Sequence, residues 1–148
     1  MLSEHMIATL EKQRLGFVAT LNKDHGPSVS PKGTFVAIDE NTIAYGDIRS
    51  PGSTENLRAD PRVEVSFVDP IMRRGFRARG IAEIIEKGSD AFDALRSHFD
   101  RWGDLSNRIQ RIVVITVTKA LPLETPAYDD RETEEELRAA WIATLTAP

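Results

Sequence analysis

Small hydroxyl residues, glycines and one lysine recur in segment 28–63, at points where the sequence predicts that strands end and a helix begins. A helix that starts at Gly52 would place Ser53 and Thr54 in its first turn. The first turn of a helix leaves backbone N–H groups unpaired and carries roughly half a positive charge, which suits an anion such as phosphate. Because serine is also a common N-cap residue, capping by Ser53 is the alternative interpretation.

Lys32 lies within a predicted strand, where alternation puts it on the same face as Ser28 and Ser30. Pro31 and Gly33 flank the lysine, and such residues inside a strand often mark a bulge or a close backbone approach. A strand lysine can also simply extend into solvent. We therefore keep two interpretations of Lys32, a ligand-binding cation and a solvated side chain.

The charge of the chain is unevenly distributed. The net charge is −4, with an acidic run at 129–138 and a locally basic region between Arg49 and Arg79. This pattern favours a discrete anionic ligand over nucleic acid, which usually binds to basic domains. By alternation Arg77 and Arg79 share one face of a long strand, where they form surface ion pairs or line an anion groove or a subunit contact.

Length and composition limit the possible classes of protein. With 148 residues the chain is expected to form a single domain, 1–148. The absence of cysteine excludes thiol catalysis, disulfides and thiolate metal sites, and three scattered histidines give no metal-ligand spacing. No apolar run approaches the ~20 residues of a membrane span, and the start lacks signal-peptide features. We expect a cytoplasmic protein with no metal site and no membrane or nucleic-acid partner.

The predicted elements are mainly strands joined by tight turns. Strands are predicted at 15–21, 28–38, 42–47, 62–69, 76–87 and 112–123, and helices at 3–13, 52–58, 89–102 and 133–146. Connections of hairpin length imply antiparallel pairing, and six such strands with one buried face tend to close into a small barrel spanning about 15–123. The fold class is therefore mainly β, with peripheral helices.

Four segments, in their order and spacing, resemble the pyridoxamine 5′-phosphate oxidase-like family of flavin-binding split barrels. They are 28–34 (Ser-Val-Ser-Pro-Lys-Gly-Thr), 45–47 (Tyr-Gly-Asp), 53–58 (Ser-Thr-Glu-Asn-Leu-Arg) and 60–63 (Asp-Pro-Arg-Val). The resemblance covers about 15–118, most of the chain. It implies a six-stranded antiparallel Greek-key split barrel that forms a homodimer, with FMN at the subunit interface.

The resemblance also implies a cofactor site. In such proteins the second strand lines the flavin, the 45–47 segment passes along the ring and ribityl chain, and the helix start holds the phosphate. The predicted cofactor-binding residues are Ser28, Ser30, Pro31, Lys32, Gly33, Tyr45, Gly46, Asp47, Arg49, Ser50, Gly52, Ser53, Thr54 and Arg79. Lys32 is predicted to lie near flavin N1 and its carbonyl, where a cation raises the reduction potential.

Two departures from the family pattern concern the phosphate and the substrate. Many members have a lysine or arginine where this chain has Gly52-Ser53-Thr54, so the phosphate would depend on Lys32, Arg49 or an arginine of the long strand. Authentic oxidases share a basic, tryptophan-containing C-terminal segment, whereas segment 133–146 is an acidic predicted helix. This second departure argues against the oxidase reaction itself, and no catalytic residue is designated.

The functional hypotheses share a fold and differ in ligand. The first is an FMN-dependent oxidoreductase that transfers hydride between flavin and a small substrate, with NAD(P)H as a further partner. The alternatives are a non-enzymatic FMN-binding protein, a deazaflavin-binding protein that uses the basic 73–79 region, and a haem-binding protein. Haem is disfavoured because histidine is scarce and cysteine absent. A structural β-barrel interaction module would leave the 30–33 pattern unexplained.

Overall fold

The computed structural model describes residues 1–130 and 133–147, and in them seven strands are joined by turns and helices. The strands are β1 (Gly16–Leu21), β2 (Pro27–Lys32), β3 (Phe35–Asp39), β4 (Thr42–Asp47), β5 (Arg62–Asp69), β6 (Arg74–Glu86) and β7 (Arg111–Glu124). The α-helices are α1 (Glu4–Gln13), α2 (Pro51–Ala59), α3 (Asp90–Arg96) and α4 (Glu134–Thr146). Two 3₁₀ segments, Ser97–Arg108 and Pro126–Asp130, complete the described elements.

All pairings in the sheet are antiparallel, in the order β2-β1-β5-β6-β7-β4-β3. The two edge strands, β2 and β3, follow one another in the chain with only Gly33 and Thr34 between them. Because the three Cα–Cα steps from Lys32 to Phe35 span at most about 11 Å, these ends of the two edge strands must lie close together. The sheet therefore curls into a barrel that is split between β2 and β3, which confirms the predicted mainly β fold.

The barrel has seven strands, whereas six were predicted. The difference arises from the predicted strand 28–38, which is two strands separated at Gly33 and Thr34. Thr34 pairs with the end of β4: its Oγ1 donates to the carbonyl of Gly46 at 2.5 Å, and its own carbonyl accepts from the Gly46 amide at 3.1 Å. These two bonds redirect the chain from β1 to β4 as its partner strand.

Aromatic side chains fill the centre of the barrel. Phe35 lies 4.8 Å from Phe67 in an edge-to-face arrangement, and Phe67 lies 5.1 Å from Phe76. Tyr45 also packs against Phe35, at 5.2 Å between ring centroids. All four side chains are buried. Burial of each such side chain contributes about 1.5–3 kcal/mol. The cluster therefore holds in place the start of β3 at Phe35 and the later part of β4 at Tyr45.

Local capping signals predicted the helix starts, with one correction, whereas the helix predicted at 89–102 is an α-helix only to Arg96 and continues as the 3₁₀ segment Ser97–Arg108. Ser3 accepts a hydrogen bond from the Met6 amide, and a capping box between Thr133 and Glu136 opens α4. Helix α2 begins at Pro51 and not at Gly52 as predicted, because proline is well suited to the first helical position. In the part of the chain that the structure describes, no helix has the length and apolarity needed to cross a membrane.

Helix α4 docks on the turn between β5 and β6. Leu137 is buried, and the Arg73 guanidinium lies 4.2 Å from the centroid of the Trp141 ring. The single domain 1–148 remains a prediction, and residues 131, 132 and 148 of it lie outside the described residues.

Candidate functional site

The ends of β2 and β4 converge with the start of α2. Along β2 the polar side chains face inward: Ser28 and Ser30 are partly buried and Lys32 is buried, whereas Val29 is 64% exposed. This is the reverse of the usual apolar interior of a barrel strand. The inward-facing polar side chains of β2 therefore belong to a site and not to the hydrophobic core.

The Lys32 amine bridges β2 and α2. Its Nζ donates to Ser30 Oγ at 2.6 Å and to Ser53 Oγ at 3.3 Å. Burial lowers the pKa of Lys32 from its usual value of 10.5, and the nearby Asp47 carboxylate partly opposes that effect by raising it. The solvated interpretation of Lys32 is thus wrong, since only 8% of the residue is exposed.

The start of α2 is open toward this amine. Ser50 is the N-cap residue, and its side chain makes no capping hydrogen bond. The Thr54 amide donates to the Ser50 carbonyl at 3.1 Å, so it makes the first bond of the helix. The amides of Gly52 and Ser53 belong to the first turn and have no acceptor within the helix. The Ser53 hydroxyl accepts from Lys32 and does not serve as the cap.

Asp47 supplies a buried carboxylate with a free acceptor atom. The residue is 1% exposed, and its Oδ2 accepts a hydrogen bond from Thr54 Oγ1 at 2.9 Å. Arg111 Nη1 lies 3.6 Å from the same oxygen. Oδ1 is buried and has no partner among the described residues. A buried acceptor left unpaired costs about 1–3 kcal/mol, so pairing of this oxygen with a donor would be favourable. Asp47 lies between Gly46 and Ile48, two residues that line a cavity, but it does not itself line it.

A cavity of about 280 Å³ opens beside these groups. Its lining residues come from the ends of β2 and β4, from the connections that follow these strands, and from the 3₁₀ segment Ser97–Arg108. They are Pro31, Lys32, Gly33, Thr34, Gly46, Ile48, Arg49, Ser50 and Leu105. Ligand pockets usually measure about 300–1,000 Å³. The cavity is therefore sized for part of a large ligand.

Six of the predicted cofactor residues line the cavity: Pro31, Lys32, Gly33, Gly46, Arg49 and Ser50. Ser30 and Ser53 bond to Lys32, Thr54 bonds to Asp47, and Gly52 and Asp47 are sequence neighbours of Ser53 and of lining residues, respectively.

The other three, Tyr45, Ser28 and Arg79, are not among the lining residues, and in the described structure their side chains form no hydrogen bond with Lys32 or Asp47. Tyr45 is buried in the core, where burial and then the Asp47 charge raise the pKa of its hydroxyl. Ser28 lies on β2 two residues before Ser30, opposite Thr20 of β1, and it does not line the cavity. Arg79 lies on β6 in a separate groove of about 490 Å³ and pairs with Glu64 at 3.0 Å.

Several residues at the site were not predicted from the sequence. Thr34, Ile48 and Leu105 line the cavity, and Arg111 contacts Asp47. Arg111 is the cross-strand neighbour of Asp47 in the β4–β7 pairing. Residues 64 positions apart in sequence meet only because of the sheet order, so no local pattern could have identified Arg111.

The family model described as pyridoxamine 5′-phosphate oxidase matches residues 2–121 of the chain. This match covers the barrel up to Leu121, near the end of β7, and includes every residue that lines the cavity. No curated protein matches the sequence.

Solved structures share the split-barrel fold. HupZ of Group A Streptococcus is 24% identical, with a TM-score of 0.72 over 84% of this chain and 96% of that protein. An FMN-binding protein of Syntrophomonas wolfei is 12% identical, with a TM-score of 0.69 over 82% of this chain and 86% of that one. A protein named F420 reductase is 25% identical, with a TM-score of 0.61 over 81% and 98% of the two chains.

Proposed function

We propose that this chain, which belongs to the pyridoxamine 5′-phosphate oxidase family, binds FMN and is an oxidoreductase. In this proposal it transfers hydride between the bound flavin and an unidentified small substrate. The observation that carries the proposal is the buried Lys32 amine, directed at the open first turn of α2 beside the unpartnered Asp47 oxygen. A hydrophobic core does not require a buried amine, open helix amides and an unpaired carboxylate oxygen. An anionic ligand that also carries hydrogen-bond donors would pair with all three.

The residues present fit the phosphate of FMN. A phosphate at the first turn of α2 would accept from the Gly52 and Ser53 amides, from the Ser53 hydroxyl and from Lys32. Arg49, in the cavity lining, supplies a further positive charge. We assign Lys32 to the phosphate and not to the N1 edge of the ring, because its amine lies 3.3 Å from Ser53 Oγ.

The remaining groups fit the polar chain and the ring. We assign the unpartnered Asp47 Oδ1 to a ribityl hydroxyl. The ring would extend out of the cavity, which at about 280 Å³ holds only part of a large ligand. The flavin, when bound, supplies the hydride chemistry. The protein supplies position, charge complementarity and a partly dry environment.

A second copy of the chain is proposed to complete the site. The outward face of β1 and β2 exposes Phe17 (45%) and Val29 (64%), and β6 adds Ile81 (46%). Arg79 shares the groove that Ile81 lines, so it would reach a cofactor only from the second copy. Light scattering tests this point: we expect a dimer, and a monomer at micromolar concentration would contradict the interface.

The experiment that tests the cofactor is the visible spectrum of the purified protein, followed by mass analysis of what denaturation releases. We expect a flavin spectrum and the release of FMN. Protein purified without bound flavin should bind added FMN with quenching of its fluorescence. A colourless protein that leaves the fluorescence of FMN unchanged would disprove the proposal. Stopped-flow reduction by NADH or NADPH then separates an enzyme from a non-enzymatic FMN carrier.

A deazaflavin is the second candidate, because the protein named F420 reductase is 25% identical over 81% of this chain. Its long anionic tail would run toward the basic residues of β6. Release of a deazaflavin from the purified protein would favour this candidate over FMN. Haem has less support, since no histidine is among the residues that line the cavity.

The oxidase reaction on pyridoxamine phosphate is not part of the proposal. The acidic segment 133–146 stands where authentic oxidases carry a basic substrate-gripping segment. Helix α4 packs against the β5–β6 turn, where Arg73 meets Trp141 and Arg74 contacts Glu134. The acidic helix is thus held on a surface formed by other residues than those of the cavity.

A further inference from the structure

Arg111 occupies a position between two carboxylates at the edge of the site. Its Nη1 lies 3.6 Å from Asp47 Oδ2, and its Nε lies 3.2 Å from the Glu86 carboxylate. The Arg111 side chain is 31% exposed, whereas that of Asp47 is 1% exposed. Arg111 is therefore the cation that connects the buried carboxylate to the protein surface.

Lys32 is a second cation that interacts electrostatically with Asp47. The Asp47 charge raises the pKa of Lys32, yet Lys32 and Asp47 form no ion pair within 4.0 Å in the described structure. The Lys32 amine instead donates to Ser30 and Ser53. The two cations thus have different partners: Arg111 contacts the Asp47 carboxylate, and Lys32 contacts the start of α2.

We propose that Arg111 is a positioning residue that occupies Asp47 and so keeps Lys32 directed at the first turn of α2. The inference rests on the proposed function, because the first turn of α2 is where the FMN phosphate is proposed to bind. Without Arg111, the buried carboxylate would have Lys32 as its remaining cationic partner. A charge pair of low solvent exposure interacts strongly, so Lys32 would turn from α2 toward Asp47.

The same arginine also fixes α2 itself. Glu86, which contacts Arg111, also accepts from Arg58 Nη2 at 2.5 Å, and Arg58 lies in the last turn of α2. At the other end of the helix, Thr54 donates to Asp47. Arg111 therefore joins the two carboxylates that hold the two ends of the helix, although it does not line the cavity.

The test measures how much the phosphate contributes to binding. The readout is the ratio of the riboflavin Kd to the FMN Kd, obtained by fluorescence titration of the full chain. Loss of a well-placed charged hydrogen bond corresponds to about tenfold or more in affinity. We expect Arg111→Gln to lower this ratio about tenfold. A general loosening of the barrel would weaken both ligands alike and leave the ratio unchanged.

A double variant separates positioning from direct contact. In Arg111→Gln/Asp47→Asn the competing carboxylate is gone, so Lys32 should return to α2 and the ratio should recover to within about threefold of the wild type. Failure to recover would mean that Arg111 contacts the phosphate itself, which overturns the inference. An unchanged ratio in Arg111→Gln would overturn it as well. If the unmodified protein does not prefer FMN to riboflavin, the proposed phosphate site fails first, and the inference falls with it.

A surface variant covers the case in which Arg111→Gln does not fold. Glu86 is half exposed and contacts Arg111 from the surface. Glu86→Gln should loosen the guanidinium and lower the same ratio about twofold to threefold, with the circular dichroism spectrum unchanged. In a folded Glu86→Gln protein, an unaltered ratio would then count against the positioning role.

Discussion

A Lys32→Met variant is expected to bind FMN about 10- to 100-fold more weakly while its affinity for riboflavin stays within about twofold of the wild type. A hydrogen bond to a charged group contributes about 1.5–3 kcal/mol, and each 1.4 kcal/mol is a factor of ten in Kd. Methionine retains the length and flexibility of the lysine stem, so the buried position stays filled. The effect should therefore fall on the phosphate and spare the rest of the ligand.

The measurement is a pair of fluorescence titrations, one with each flavin. Lys32→Arg provides the matched control, because it keeps the positive charge and should retain most of the preference for FMN. The fold should not suffer in Lys32→Met, since burial disfavours the lysine charge and its removal relieves that cost. Equal losses for FMN and riboflavin in a folded protein would contradict the assignment of Lys32 to the phosphate.

The pH dependence gives the same prediction a second readout. Burial lowers the pKa of Lys32 below 10.5, so its charge is lost at a lower pH than that of an ordinary lysine. The phosphate of FMN is already largely dianionic above about pH 6. The preference for FMN over riboflavin should therefore be greatest near neutral pH and fall as the pH rises through the lowered pKa. Lys32→Met should show a low and flat preference over this range, and Lys32→Arg a high and flat one.

The fold was predictable from the sequence wherever the cause was local. Alternating side chains defined the strands, and the caps at Ser3, Ser89 and Thr133 gave correct helix starts. The break between β2 and β3 was missed, because it depends on hydrogen bonds between Thr34 and Gly46, which are 12 residues apart. Pro31 and Gly33 indicated an irregularity in the predicted strand. A β-bulge and a change of partner strand, however, produce the same pattern in the sequence.

The candidate site was predictable in part, for the same reason. Lys32 and Ser53 were predicted to serve one ligand, and the structure brings them to 3.3 Å. Asp47 was named with them, but its pairing with Arg111 follows from the β4–β7 register, and its unpartnered Oδ1 is visible only in the folded chain. Arg79 is the opposite case, a residue predicted for the site that lies elsewhere within one chain. Its charge and alternation favoured an anion site, yet its groove lies apart from the cavity within one chain.

Replacement of Ser53 by aspartate should abolish FMN binding, with a loss of more than about 100-fold, while the protein becomes no less stable. The first turn of α2 contains no acidic residue, and a carboxylate there interacts favourably with the helix dipole by about 0.3–1 kcal/mol. Lys32, at 3.3 Å from Ser53 Oγ, would become its ion-pair partner. The new carboxylate would then occupy the place proposed for the phosphate, and like charges brought together cost several kcal/mol.

This variant distinguishes an anion site from a purely structural role of Ser53 in α2, because the two interpretations predict opposite results for flavin binding. If Ser53 only stabilised α2, aspartate would be an equal or better residue and flavin binding would not change. If Ser53 holds the phosphate, stability and binding move in opposite directions, with an unchanged or slightly higher Tm and no measurable FMN affinity. Ser53→Ala is the matched control: loss of one neutral hydrogen bond should weaken FMN binding only about 3- to 10-fold. Riboflavin, which lacks the phosphate, should still bind to Ser53→Asp, and its loss would mean that the substitution had disturbed the barrel and not the anion site.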